Sequence, residues 1–171
     1  MHSSFLGTIT EDNCEKALKS IHLEKGIFCK KCGNSDHYWK ADKKVFECKK
    51  CRRRRSLTAY TLMHNSKLPI HYWVITLDII LFNQCTVKEI QSLFKKRYQT
   101  IYNMHLTIST QLNRLPSDES GVVLIKDLSI GNKILFFKLH YLDIPIPSQQ
   151  YDWEIMTLYL EWLSQPLIKL D

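Results

Sequence analysis

Two identical cysteine pairs, Cys29-Lys30-Lys31-Cys32 and Cys48-Lys49-Lys50-Cys51, stand fifteen residues apart in this chain. A C-x-x-C turn offers two thiolates from one short loop without straining the backbone, and tetrahedral zinc takes four. The double pair Cys29, Cys32, Cys48 and Cys51 is therefore the ligand set for one structural zinc ion. Such a segment folds as two knuckles and a hairpin. It buries too little to fold by itself, and structural zinc supplies on the order of 10 kcal/mol or more. A closed four-thiolate site has no open position at which to activate water.

The pairs are crowded with cations. Lys30, Lys31, Lys49 and Lys50 lie inside them, and Arg52, Arg53, Arg54 and Arg55 follow at once. Residues 25–65 carry twelve basic and three acidic side chains, a net of +9, whereas residues 1–24 net −2 and residues 116–171 net −4. That imbalance, beside aromatic Tyr38, Trp39 and Phe46, exceeds what solubility requires and points to a polyanion, double-stranded DNA first. The bland alternative is a solvated polar surface around a small fold.

Six cysteines in a secreted chain can make three disulfides, but the matched pairs, the isolated Cys14 and Cys85 and an N-terminus without a signal pattern favour metal in a reducing cytoplasm. The longest apolar run, Leu68 to Phe82, is interrupted by His71 and Asp78 and is short for a bilayer; no membrane association is expected.

The remaining pattern predicts an α+β chain in four parts: an N-terminal amphipathic helix (1–24), a zinc ribbon (25–65), a helical helix-turn-helix region (66–115), and an acidic tail with a β-hairpin and a terminal helix (116–171). Thr10 before Glu11 and Asp12 caps a helix over 11–20 with Cys14 on its core face. Tyr38-Trp39-Lys40 and Val45-Phe46-Glu47 flank Asp42-Lys43-Lys44 as a hairpin. Pro69 opens a buried helix over 69–83 that includes Trp73, Ile75 and Leu77. Thr86-Val87-Lys88-Glu89 is a capping box for a helix over 87–94. After Lys95, Lys96 and Arg97 a longer helix follows, with Tyr98, Ile101, Tyr102, Met104, Ile108 and Leu112 expected in the core. Residues 121–130 and 133–144 read as strands around Gly131-Asn132, and 150–163 as a last helix exposing Asp152, Glu154 and Glu161.

In order along the chain, Thr10 to Cys14 with Leu18, Gly26-Ile27-Phe28-Cys29 through Gly33, the second cysteine pair, Ser56 to Thr61, Ser66 to Pro69 with Trp73, and Tyr98 to Met104 resemble the N-terminal DNA-binding region of zinc-ribbon insertion-sequence transposases of the DDE class. The resemblance spans about residues 10–115 and implies that the chain binds the ends of a mobile element. It also departs from the family's pattern. Lys30 stands where proline is usual, Tyr60 and Lys95 where glycine is usual, and Tyr102 where tryptophan is usual. Lysine at 95 matters most for a tight turn.

A complete relative would cut and join DNA with carboxylates holding two divalent metals. Gly121 to Lys133 is weakly similar to the first catalytic strand of that domain, with Lys126 in place of the aspartate in the best register; a shift of one residue puts Asp127 there, but a single carboxylate cannot hold two metals, and 56 residues follow Leu115. The expectation is no strand-transfer activity, with the tail a degenerate remnant and the chain truncated or decayed before its catalytic domain. No G-x-S-x-G, phosphate-cradling glycine loop or H-E-x-x-H offers other chemistry. His37 is the one alternative ligand near the pairs. At the start of the longer helix, Lys95, Lys96, Arg97, Gln99, Thr100 and Asn103 occupy positions that meet DNA in a recognition helix, or form the ordinary polar side of a helix.

Three functions follow as expectations. The first is a zinc-dependent DNA-binding part of a transposase, associated with the nucleoid as a homo-oligomer or with a complete relative. The second is a transcription or RNA-binding ribbon whose acidic tail docks a protein. The third is a transposase that gains its active site from another chain. An inverted-repeat preference, RNA or protein binding without one, and metal-dependent cleavage with a partner distinguish them.

Overall fold

The computed structural model describes residues 9–82, 86–112 and 148–164. Helix α1 (Glu11–Lys25) starts at Thr10, whose Oγ1 accepts the Asn13 amide at 3.2 Å, and stops at Gly26, where φ is 77°. It runs past the expected 11–20 because Ile21 and His22 continue the buried face set by Cys14, Ala17 and Leu18. His22 Nε2–H donates to the Leu57 carbonyl at 2.7 Å, which ties the helix to the exit of the ribbon.

The ribbon sheet is antiparallel in the order β1 (His37–Lys40), β2 (Val45–Cys48), β3 (Arg54–Ser56). The hairpin is as the alternation predicts, but the third strand corrects the reading of Arg52 to Arg55 as a plain basic run. Arg54 and Arg55 pair with Glu47 and Phe46. Trp39, Phe46 and Arg55 form one cross-strand row, and Phe46, 1 % exposed, packs on Trp39 at 4.8 Å and edge-on to His22 at 6.1 Å. Lys44 to Glu15 (2.6 Å) and Lys19 over Trp39 (4.9 Å) complete the contact with α1.

Helix α2 (Ile70–Phe82) is buried on nearly every side, as its composition requires. Its first amides are capped from a distance: Glu11 Oε1 accepts the Ile70 N–H at 3.0 Å, and Oε2 accepts the His71 N–H at 3.1 Å and lies 2.7 Å from His71 Nδ1. A carboxylate there satisfies orphan donors and meets the positive helix end. Helix α3 (Val87–Phe94) has the full capping box, with Glu89 Oε2 accepting the Thr86 amide at 2.6 Å. Lys95 then adopts the left-handed conformation (φ 51°, ψ 41°) for which glycine is suited, and its N–H donates to the Gln91 carbonyl at 2.8 Å.

Helix α4 (Tyr98–Leu112) buries Ile101, Met104, Ile108 and Leu112. Tyr98 and Tyr102 do not join them. They are 45 % and 39 % exposed and stack on each other, because the core stripe at positions 101, 104 and 108 leaves 98 and 102 on its solvent-facing flank. The terminal helix α5 (Ser148–Leu163) begins two residues before its expected start. Met156, Tyr159, Leu160 and Leu163 bury against the same core as α1 and α2, where Tyr159 donates to Asp78 Oδ1 at 3.1 Å. Burial pushes the Asp78 carboxyl up to about 6. Glu161 is partly buried. The expected hairpin over 121–144 lies outside the described residues, as do the side chains of Asp152 and Glu154.

Candidate metal centre and basic surface

The two cysteine knuckles are built alike. Cys29 N–H donates to the Asn34 carbonyl (2.9 Å) and Gly33 N–H to the Cys29 carbonyl (2.8 Å); Cys48 N–H to Arg53 and Arg52 N–H to Cys48 repeat the pattern, both at 2.9 Å. Gly33 reaches φ 69° and Arg52, its counterpart, φ 58°. The first knuckle has glycine in its left-handed slot and the second has arginine, at a cost of about 1 kcal/mol.

These turns bring the four sulfurs to within 4.8 Å of one another. Cys29 and Cys51 are 3.4 Å apart, Cys32 and Cys48 3.6 Å. Zinc–thiolate bonds of about 2.3 Å place the corners of a tetrahedron about 3.8 Å apart, so the spacing fits one zinc, whereas a disulfide needs about 2.05 Å. Backbone amides prepare the thiolates. Those of Lys31 and Cys32 bring Cys29 below its usual value, and those of Cys51 and Lys50 bring Cys48 down to about 6. The Asn34 amide favours the Cys32 thiolate, yet desolvation and the three neighbouring sulfurs push that thiol up to about 12. One negative charge suppressing the next is what a cation between them relieves. His37 is no ligand in this arrangement: its Nδ1–H donates to the Ser35 carbonyl at 2.8 Å. Cys14 is remote from the cluster, buried beside Met156, and desolvation raises its thiol to about 12.

The basic residues have unequal surroundings. Lys31, Lys50, Arg52 and Arg53 are exposed, and among the described residues their side chains make no hydrogen bond or ion pair. Lys49 lies over Tyr38 at 5.3 Å. Arg54 donates to Glu47 at 2.9 Å and holds that carboxyl below the ordinary range. Arg55 is half-buried under Tyr60, 5.3 Å from its ring, and Lys30 approaches the same ring at 5.5 Å. A separate group sits at the α3–α4 turn: Lys95, Lys96, Arg97, Gln99, Thr100 and Asn103 are all exposed, with Gln99 donating to Asn103 Oδ1 at 2.8 Å.

Tyr60 and Phe28 are surface residues that charge and spacing did not single out. Tyr60 has φ 65°, which explains why glycine is at home in that position and makes a tyrosine there a strained choice. Its place in the resemblance was the available signal.

Among the described residues no helix is long and apolar enough to cross a membrane. Residues 9–54, about a quarter of the chain, match the family model of the transposase zinc-ribbon domain. No curated protein and no solved structure matches the chain.

Proposed function

We propose that this chain is a zinc-dependent DNA-binding protein of the insertion-sequence transposase type, which recognises element ends and performs no strand transfer itself. The observation that carries the reading is the coincidence of a four-cysteine zinc centre, matched to a transposase zinc ribbon, with unpaired cations on the same knuckles. Lys31, Lys50, Arg52 and Arg53 are spaced around the metal and free to neutralise phosphates, which sets affinity without reading sequence.

Sequence would be read by α4, the second helix of a helix-turn-helix formed with α3. The left-handed Lys95 closes the turn, and Arg97, Gln99, Thr100 and Asn103 are exposed at the helix start, where side chains reach base edges. The absence of strand transfer rests on Lys126, which stands where the resembling catalytic strand has an aspartate. Binding in the nucleoid, alone as an oligomer or beside a complete transposase, follows from this reading.

The test is a salt titration of duplex binding. Each of Lys31→Ala, Lys50→Ala, Arg52→Ala and Arg53→Ala is expected to lower the slope of log K against log salt by about 0.9 if that residue neutralises one phosphate. Unchanged slopes in all four would remove the ribbon from the DNA interface. Replacement of Gln99 or Asn103 should instead change which sequence is preferred, at a cost of about 1–3 kcal/mol at the contacted base.

A further inference from the structure

Phe28, Lys30, His37, Arg53 and Tyr60 border a shallow depression on the ribbon, beside the zinc ligand Cys29. Much of its space is open solvent, so it is a platform rather than an enclosure. Its character is unusual for duplex contact. Phe28 is 63 % exposed and Tyr60 38 % exposed, with Lys30 Nζ 5.5 Å and Arg55 Cζ 5.3 Å from the centre of the Tyr60 ring and the His64 ring 5.7 Å away and 12° from parallel.

The outer surface of a duplex offers phosphates and groove edges, not base faces. Flat aromatic rings interleaved with cations suit a strand whose bases are unstacked, since each base can lie on a ring while its phosphates meet lysine or arginine. Tyr60 strengthens this reading because its backbone is in a left-handed conformation that tyrosine disfavours. A strained residue held by its surroundings marks a position where the side chain has a use. Its N–H donates to His64 Nδ1 at 3.3 Å, and Arg55, from the inner row of the sheet, reaches the Ala59 carbonyl at 3.4 Å, so the loop that presents the ring is fixed from both sides.

We infer that this groove binds unpaired single-stranded DNA, with bases stacked on Phe28 and Tyr60 and phosphates held by Lys30 and Arg53. The inference deepens the reading of the ribbon as a DNA-binding surface and rests on it. The groove gives the ribbon a preference for opened DNA that the phosphate contacts alone do not provide.

The test uses the zinc-loaded full chain and fluorescence anisotropy with three probes: a thymidine 20-mer, an abasic strand of equal length, and a 20-base-pair duplex. The wild type is expected to bind the thymidine strand tighter than the abasic strand by about 5- to 150-fold for each base that stacks. Tyr60→Gly relieves the left-handed strain and preserves the fold; it and Phe28→Leu should lose most of that preference while duplex affinity stays within about twofold. Equal affinity for thymidine and abasic strands, with duplex binding intact, overturns this inference and leaves the broader reading standing. Failure to bind all three probes overturns both. Equal losses on strand and duplex in Tyr60→Gly also overturn it, because Tyr60 would then serve the fold or general affinity.

Discussion

Asp78 gives a stability prediction whose sign and size come from one buried group. Its carboxyl lies on α2, 7 % exposed, and accepts from Tyr159 on α5. Burial raises its pKa from 3.8 to about 6 even though the tyrosine hydroxyl favours the ionised form. The unfolded chain therefore releases this proton at lower pH than the folded chain does. The contribution of Asp78 is complete below pH 3.8 and is lost as pH rises through about 6. Asp78→Asn keeps an acceptor for Tyr159 and removes the charge. Relative to wild type it should gain about 1 kcal/mol at pH 4.5, growing to about 3 kcal/mol at pH 7.5. Urea unfolding of both zinc-loaded proteins at stepped pH measures this, and taking the difference at each pH cancels proton effects at the metal centre. The slope against urea should stay the same in both. A difference that is constant across pH, or a variant that is less stable at pH 7.5, would refute the assignment of a costly buried carboxylate.

The other predictions concern connections between elements. Glu11→Gln weakens the acceptor for the Ile70 and His71 amides and should cost about 1–2 kcal/mol in thermal unfolding. Lys95→Gly relieves the left-handed turn between α3 and α4 and should stabilise by about 0.5–1 kcal/mol, with DNA binding weakened only through the lost charge. Arg52→Gly should likewise leave the fold unchanged or firmer by up to about 1 kcal/mol while lowering the salt slope by about 0.9, so stability and DNA affinity move apart. Desolvation holds buried His22 below its usual value, so its own contribution to stability should fall as pH drops below 6.5, opposite in sign to that of Asp78; the difference in stability between wild type and His22→Gln should change over that range.

The metal centre and the helix starts were legible because each is a local code. Two C-x-x-C turns, Thr10 before acidic residues and the Thr86–Glu89 box specify their own geometry within a few residues, and the structure keeps each. Strand β3 was not legible: Arg54-Arg55-Ser56 has no apolar alternation, and its strand character comes from pairing with Glu47 and Phe46, residues seven to nine positions away. Tyr98 and Tyr102 are exposed although aromatic content favours burial, since the Ile101–Met104–Ile108 stripe already fills the face of α4 that meets α2. Tyr60 illustrates a further limit. Its role depends on a positive φ that nothing in the neighbouring residues demands, and on cations brought to its ring from both knuckle and strand.

The most direct test is footprinting of the purified protein on DNA flanking its own gene, with the zinc content measured and a chelator added in a parallel reaction. A zinc-dependent binder of element ends should carry one zinc per chain, protect an inverted repeat at moderate salt, and lose that protection when the zinc is removed. Site-selective protection that persists without metal, or a zinc-loaded protein that protects no site at moderate salt, contradicts that reading.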